Sequence, residues 1–569
     1  MIESSLDRPK SAFREGLLVF LFTLLLVGLH QTQPGMVERE DGSRVFGLRS
    51  RSLHLGDSPY NIRLAYLYRT GDVAKAGSHF HWMSSSIWAD NFCDKELLYH
   101  LYLAPFTLGA RDAGDTSALI WGAKLGIAVM FAFLAWVFWA VLRGFGVKQA
   151  WCYVPLIVVM GGAVFMSRAA EARAWPIGVI CSLTAWLVMA RNRRLDLLLV
   201  AAIYTLSYAP VHFLGLLWLV RTLGCLLLGP GQTGLSRGAE LRRHLTLLAM
   251  IALGVVLGVL LHPGRADFIR LWVVAYVMIP AATLQGPLRD LVFNLVVALN
   301  FATEFPPGEA KRMKLGLEFL PQAGTALLFV GGAAMLSPIV LAVTSAWHRH
   351  KPRRETLLAM GAALMTLVMA INSGRFFEIA GPFCALASAL WVQDLIQSRR
   401  MQLRMALRPV LFRRLRVLAC AGVFAVFGVL WATGLDRYPP MPRPWRDAAI
   451  WLRENPQARD KIVFHANWDT FPDLFFYAPH CDYIVGMDPT FLLAHDVEKS
   501  RLYWDIAFDK VDATTVPRIR EMFKADYILV VAPINAGLDQ ECRRLESIGT
   551  LRRAYTDPIF NVAIYEFAP

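Results

Sequence analysis

The feature that most constrains this chain of 569 residues is the recurrence of apolar stretches long enough to cross a lipid bilayer. A hydrocarbon core of ~30 Å takes roughly 20 apolar residues as helix, and every backbone polar group inside it must be satisfied within the segment. The first such stretch is Leu17 to Leu29, behind a leader that carries Arg8, Lys10 and Arg14. A signal peptide has the same outline, but Gln31-Thr32-Gln33-Pro34 makes a poor cleavage site, so the segment reads as an uncleaved span with its N-terminus inside. Further segments lie near 117–142, 150–167, 175–190, 195–208, 210–228, 245–262, 323–346, 356–372, 378–396 and 415–434. Together they make about eleven spans. A composition of 56% hydrophobic against 18% charged residues agrees with a polytopic α-helical membrane protein and not with a soluble one.

The formal charge of +14 is concentrated between these segments. Arg143 and Lys148, Arg191 to Arg194, Arg237 to Arg243, Arg349 to Arg354 and the run from Arg399 to Arg416 all fall on one side of the predicted spans. Basic residues favour the cytoplasm, so this charge reports topology, and no nucleic-acid partner is implied. The other connections then face out of the inner (plasma) membrane: a long first loop (33–116), Ser167 to Arg173, Tyr208 to Phe213, a second large loop (263–322), Asn372 to Glu378, and everything after Gly434. The second loop holds two apolar runs, Leu271 to Pro280 and Leu291 to Ala302. Both are short for a span and are read here as interfacial helices, with a pair of short spans as the alternative.

Beyond Gly434 a proline-rich linker, Arg437 to Pro444, separates a membrane domain (1–434) from an extracytoplasmic domain (435–569). There, apolar runs at Lys461 to Phe464, Asp482 to Val485, Tyr527 to Val531 and Val562 to Tyr565 predict strands, and Trp445 to Arg453, Val516 to Phe523 and Asp539 to Ile548 predict amphipathic helices. The expectation is a small α/β domain. The eight cysteines form no CxxC pair and no ligand spacing.

Charged residues placed beside a membrane are the candidates for chemistry. In Gly56-Asp57-Ser58-Pro59-Tyr60-Asn61-Ile62-Arg63-Leu64-Ala65, Asp57 opens an amphipathic helix with Arg63 off its apolar face. Asp57 is either an N-cap or a carboxylate serving as general base or ligand to a hard cation. Glu171 stands between Arg168 and Arg173 in an outer turn, where it is either an ion-pair partner or part of a phosphate-binding group. Arg375 and Glu378 form a second charged insertion at an outer helix end, and charges at such depth are costly. Glu304 and Arg265 lie in the second outer loop, Arg265 as a steering or anchoring cation. His79, His81, Asp94 and His100 do not match a known zinc spacing and read as outer surface.

One span, a long outer loop opening on an acidic motif, many further spans and an outer C-terminal domain together resemble the GT-C superfamily of membrane glycosyltransferases. The Asp57 motif is similar to the first-loop acidic motif of oligosaccharyltransferase catalytic subunits. The resemblance implies a polyprenyl-phosphate sugar donor, a lipid, glycan or protein acceptor, inverting transfer of a hexose or pentose, and a divalent cation, Mg or Mn. It gives Asp57 and Glu171 catalytic roles, with Asp57, Glu171 and Glu304 as metal ligands. Arg63, Arg173, Arg265, Arg375 and Glu378 become substrate-binding residues. The acceptor motif Trp-Trp-Asp is not present; Asn467-Trp468-Asp469 is a partial echo, which points away from asparagine-linked transfer. A transporter or flippase of a lipid-linked precursor, or a non-catalytic cell-envelope assembly protein, is the alternative. Transporters favour repeats and mid-span charges, and neither pattern stands out here.

Overall fold

The structure, a computed structural model, describes residues 9–38, 44–50, 56–76, 79–208, 210–229, 236–278, 291–292, 294–295, 336–347, 352–372, 376–436 and 445–568. From the N-terminus, α1 (Pro9–Gln31) leads into an antiparallel hairpin of β1 (Thr32–Glu38) and β2 (Arg44–Ser50), with Gly35 opposite Gly47. Helices α2 (Ser58–Thr70) and α3 (Leu97–Leu103) occupy the rest of the first loop. The apolar series continues with α4 (Thr116–Gly144), α5 (Leu156–Ala169), α6 (Trp175–Ala190), α7 (Arg194–Ser207), α8 (His212–Leu227) and α9 (Arg237–Leu261). A short α10 (Arg265–Val273) runs into a π turn at Val274–Met278. Then come α11 (Ser337–Trp347), α12 (Arg354–Asn372), α13 (Phe377–Gln397), a short helix at Arg399–Leu407 and α14 (Pro409–Asp436).

Among the described residues, five helices are long and apolar enough to cross a membrane: Ala12–Gln31, Thr116–Gly144, Arg237–Leu261, Arg354–Ile371 and Phe377–Gln397. Ala150–Gly162, Trp175–Ala190 and His212–Leu227 are shorter apolar helices. This is a multi-pass helical fold, and the described residues supply five such helices where about eleven spans were anticipated. The second apolar run of the large loop, Leu291 to Ala302, lies almost entirely outside the described residues, so its interfacial reading stands as an expectation.

Two compact units divide the chain: Met1–His54 with Lys124–Leu260 and Leu317–Pro440, and Leu55–Ala123 with Leu261–Gly316 and Met441–Pro569. By this division most of the first loop falls in the same unit as the residues from Met441 onward. Within the first unit, α13 is buried from Phe377 through Leu390 and packs on α5 and α12. Its contact with α5 is made backbone to backbone, because a Cβ on Gly381 would lie 2.8 Å from the Gly161 Cα. Only two glycines allow that approach. Charged side chains at other helix ends are paired: Arg221 with Glu355 at 2.8 Å, Arg354 with Glu240 at 2.5 Å, and Arg353 with Asp394.

In the second unit the last 120 or so residues build the α/β layer from α15 (Arg446–Glu454), β3 (Ile462–His465), α16 (Phe471–Tyr477), β4 (Asp482–Tyr483), α17 (Pro489–His495), α18 (Val497–Ala507), α19 (Thr515–Phe523), β5 (Tyr527–Val531), α20 (Ala536–Ser547), β6 (Leu551–Asp557) and β7 (Val562–Phe567). The sheet order is β4-β3-β5-β7-β6, parallel from β4 to β5 and antiparallel beyond. All five residues of β5 are buried, as a central strand covered on both faces requires. The four anticipated strands are present; β6, Leu-Arg-Arg-Ala-Tyr-Thr-Asp, escaped notice because an edge strand carries the polar residues that discourage further pairing.

The first loop extends this sheet. Met83 bridges Tyr483 in parallel, and the amides of Ser84 and Ser85 donate to the carbonyls of Tyr483 and Ile484 at 2.8 and 2.9 Å. The His81 Nδ1 lies 2.6 Å from an Asp482 oxygen, and the Trp82 indole donates to the Pro479 carbonyl at 2.7 Å. Replacement Gly381→Leu is expected to force α5 and α13 apart and destabilise the protein by about 1–3 kcal/mol. Thermal unfolding of the purified protein in detergent checks this, with Gly422→Leu, at a glycine that has nothing within 4 Å, as the silent control.

Candidate functional site

The acidic motif forms the head of α2. Pro59 fixes the first turn, the Asp57 carbonyl accepts the Asn61 amide at 2.9 Å, and the Asp57 side chain makes no capping bond. Asp57 is partly exposed, whereas Ser58 through Leu67 are buried without a break. The amphipathic helix read from sequence is thus a fully enclosed one, wrapped by α3 and α16. One consequence falls on Arg63. Its guanidinium is wholly buried, donates from Nε to the Phe476 carbonyl at 3.0 Å and again from Nη2, and lies over the rings of Phe476 and Tyr66. Burial pulls this group below its ordinary value, with the Tyr66 hydroxyl opposing and Arg453 reinforcing. Arg63 therefore fastens the loop helix to the end of α16 instead of facing a substrate.

Beside Asp57 stands a buried polar network that the sequence did not single out as such. Asp94 accepts from the Tyr68 hydroxyl at 2.9 Å, from the Glu96 amide at 2.9 Å and from the His100 Nδ1 at 2.7 Å. Burial acts to raise the Asp94 carboxyl, but the His100 ring and these hydrogen bonds outweigh it and hold the group below its ordinary value. His100 Nε2 meets Asn61 Oδ1 at 2.9 Å. Asn61 is one turn beyond Asp57 and His100 one turn beyond Glu96, so this bond brings the starts of α2 and α3 together. Burial raises the Glu96 carboxyl against the lowering influence of Lys95 and His100, with Asp57 and Asp94 adding to the rise.

Other groups of the zinc-like set are engaged elsewhere: His81 with Asp482, His79 with the Ala89 carbonyl at 3.3 Å. His262 donates from Nε2 to the Asp94 carbonyl at 2.8 Å and accepts the Gly264 amide on Nδ1 at 2.9 Å, holding the entry to α10 against the loop. Arg265, the first residue of α10, is exposed.

In the other unit the turn between α5 and α6 meets the start of α13. Arg168 donates from Nε to Glu378, whose carboxylate is almost wholly buried, and its Nη1 lies 3.9 Å from Glu171. Glu171 in turn contacts the Arg173 Nε at 2.8 Å. Glu378, Arg168, Glu171 and Arg173 form a row of alternating charge in which each acid orients an arginine. Three of the four were singled out as site residues; Arg168 was read only as a flank, because its partner Glu378 is 210 residues away in sequence. Arg375 and Glu304 lie outside the described residues.

No protein-family model matches the chain, and no curated protein matches it by sequence. Solved structures do. The Archaeoglobus fulgidus oligosaccharyltransferase in its apo form is similar with a TM-score of 0.60 at 13% identity, over 97% of this chain and 74% of that one. Archaeal AglB from the same organism, in complex with an inhibitory peptide and a dolichol-phosphate, gives 0.58 at 13% identity over 97% and 74%. ArnT from Cupriavidus metallidurans bound to undecaprenyl phosphate gives 0.51 at 14% identity, over 98% of both chains. At such identities the likeness is one of fold alone: the chain shares the fold of these solved structures.

Proposed function

We propose that this protein is a membrane glycosyltransferase that moves a single sugar from a polyprenyl-phosphate-linked donor to a lipid, glycan or protein acceptor at the outer face of the membrane. The observation that carries the reading is Asp57: a partly exposed carboxylate at the head of an otherwise buried helix. Support comes from the fold, shared with proteins solved with undecaprenyl phosphate and with a dolichol-phosphate. In this reading Asp57 takes the proton of the acceptor hydroxyl as that oxygen attacks the anomeric carbon. The bond to the donor phosphate oxygen breaks on the opposite side, with inversion.

The leaving phosphate needs positive charge as it forms. Within the first unit, Glu171 and Glu378 orient Arg173 and Arg168, and these arginines are proposed to bind the phosphate of the donor. A hard divalent cation, Mg2+ or Mn2+, is proposed at Asp57, where it would supply Lewis-acid stabilisation of phosphate. Arg265 and Arg375 are the further cations proposed for the donor headgroup.

Transfer from a radiolabelled polyprenyl-phosphate sugar to acceptor, measured on purified protein, tests the assignment. Asp57→Asn is expected to lower kcat by about 10²–10⁴-fold with the thermal transition unchanged; full retained transfer would remove Asp57 from the chemistry. Arg173→Ala is expected to raise the donor KM by roughly tenfold, the loss of one charge-assisted contact, with a smaller change in kcat. Chelation is expected to abolish transfer, and added Mg2+ or Mn2+ to restore it, the reading that separates a cation at Asp57 from a purely arginine-assisted reaction.

A further inference from the structure

Helix α1 touches its unit at both ends and stands off in between. At the inner end a Cβ on Gly16 would lie 2.6 Å from the Trp139 ring, and Glu15 pairs with Arg143 at 3.8 Å. Toward the other end the Lys124 ammonium donates to the Gln31 carbonyl at 2.8 Å. Between these two fixings lies a cavity of about 740 Å³, bounded by α1, α4, α5 and α14. Val19, Phe22 and Leu26 line it from α1, spaced three and four residues apart and so on one helix face. Phe131, Val158 and Phe427 close it from the other helices. Packed interiors do not keep apolar voids of this size, and among hydrocarbon chains the natural filling is hydrocarbon.

The two ends of the cavity differ. Leu18 to His30 rises about 18 Å along the helix, longer than the ~15 Å of one leaflet's hydrocarbon, so a chain lying lengthwise fits. At the inner end Arg14 is exposed and lines the cavity, and Trp151, 46% exposed, lies beside it as tryptophans do at the membrane interface. At the opposite end His30 and Gln31 are buried and Lys124 is engaged with the Gln31 carbonyl. Among the described residues lining the cavity, the exposed cation is at Arg14.

We infer that this cavity is a binding site for one acyl chain of an anionic phospholipid, its phosphate against Arg14 on the side of the membrane where the chain begins. The site is separate from the proposed transfer site and does not depend on that reading. The lipid fills the gap that α1 leaves and holds the first helix in register with α4 and α5.

Native mass spectrometry of the full-length protein tests this after reconstitution in nanodiscs of equal phosphatidylglycerol and phosphatidylcholine and ejection from them. The wild type is expected to retain one lipid per chain, with phosphatidylglycerol favoured several-fold. Arg14→Ala, at an exposed position, is expected to keep a bound lipid and lose the preference. Leu26→Trp combined with Val158→Phe, which fills the cavity, is expected to abolish retention; should this variant fail to fold, the Arg14→Ala comparison alone decides. A wild type that retains no lipid, retains the two lipids equally, or carries a polyprenyl phosphate in their place overturns the proposal.

Discussion

Hydrocarbon does not solvate charge, and the placement of ionisable groups in the first unit follows from that one fact. Wherever a described helix of the apolar series buries a carboxylate, an arginine is set against it: Glu378 with Arg168, Glu240 with Arg354, Asp394 with Arg353. Such pairs contribute little net stability over apolar packing, but losing one member leaves a buried charge without compensation and is severe. They therefore fix which helix ends sit together. The glycine contact between α5 and α13 serves the same arrangement, since two helices that touch by backbone bring Arg168 within reach of Glu378.

The second unit obeys a different rule. Its polar network is enclosed in protein, and every member of the Asp94, His100, Asn61 and Tyr68 group finds a partner of the right kind. That network ties α2 to α3 through the His100 ring, which meets Asn61 on one side and Asp94 on the other. Arg63 does comparable work on the other side of α2 by satisfying the end of α16, where a short helix leaves carbonyls open.

What could be read from the residues alone was whatever depends on local pattern. Apolar length gave the membrane class, short apolar runs gave β3, β4, β5 and β7, and Pro59 after Asp57 gave the start of α2. Illegible features depend on distant pairing. Nothing near Arg63 announces that its partner is the Phe476 carbonyl, and nothing in His-Phe-His-Trp announces that this stretch adds to a sheet four hundred residues later. Periodicity also misled at α2: the helix has apolar and polar residues on separate faces, but both faces are covered, the polar one by a second polar surface.

The strand-like stretch around Met83 has a consequence in time as well as in space. His81 and Asp482 are 401 residues apart, so at ~5–20 residues per second the ribosome needs roughly 20–80 s to deliver the partner strand after the first loop has been made. For that interval the loop carries open amides at Ser84 and Ser85 and an unmatched aromatic face at Phe80, Trp82 and Trp88, in the state in which edges attract the wrong neighbour. A truncation before β4 removes the strand against which the first loop comes to rest.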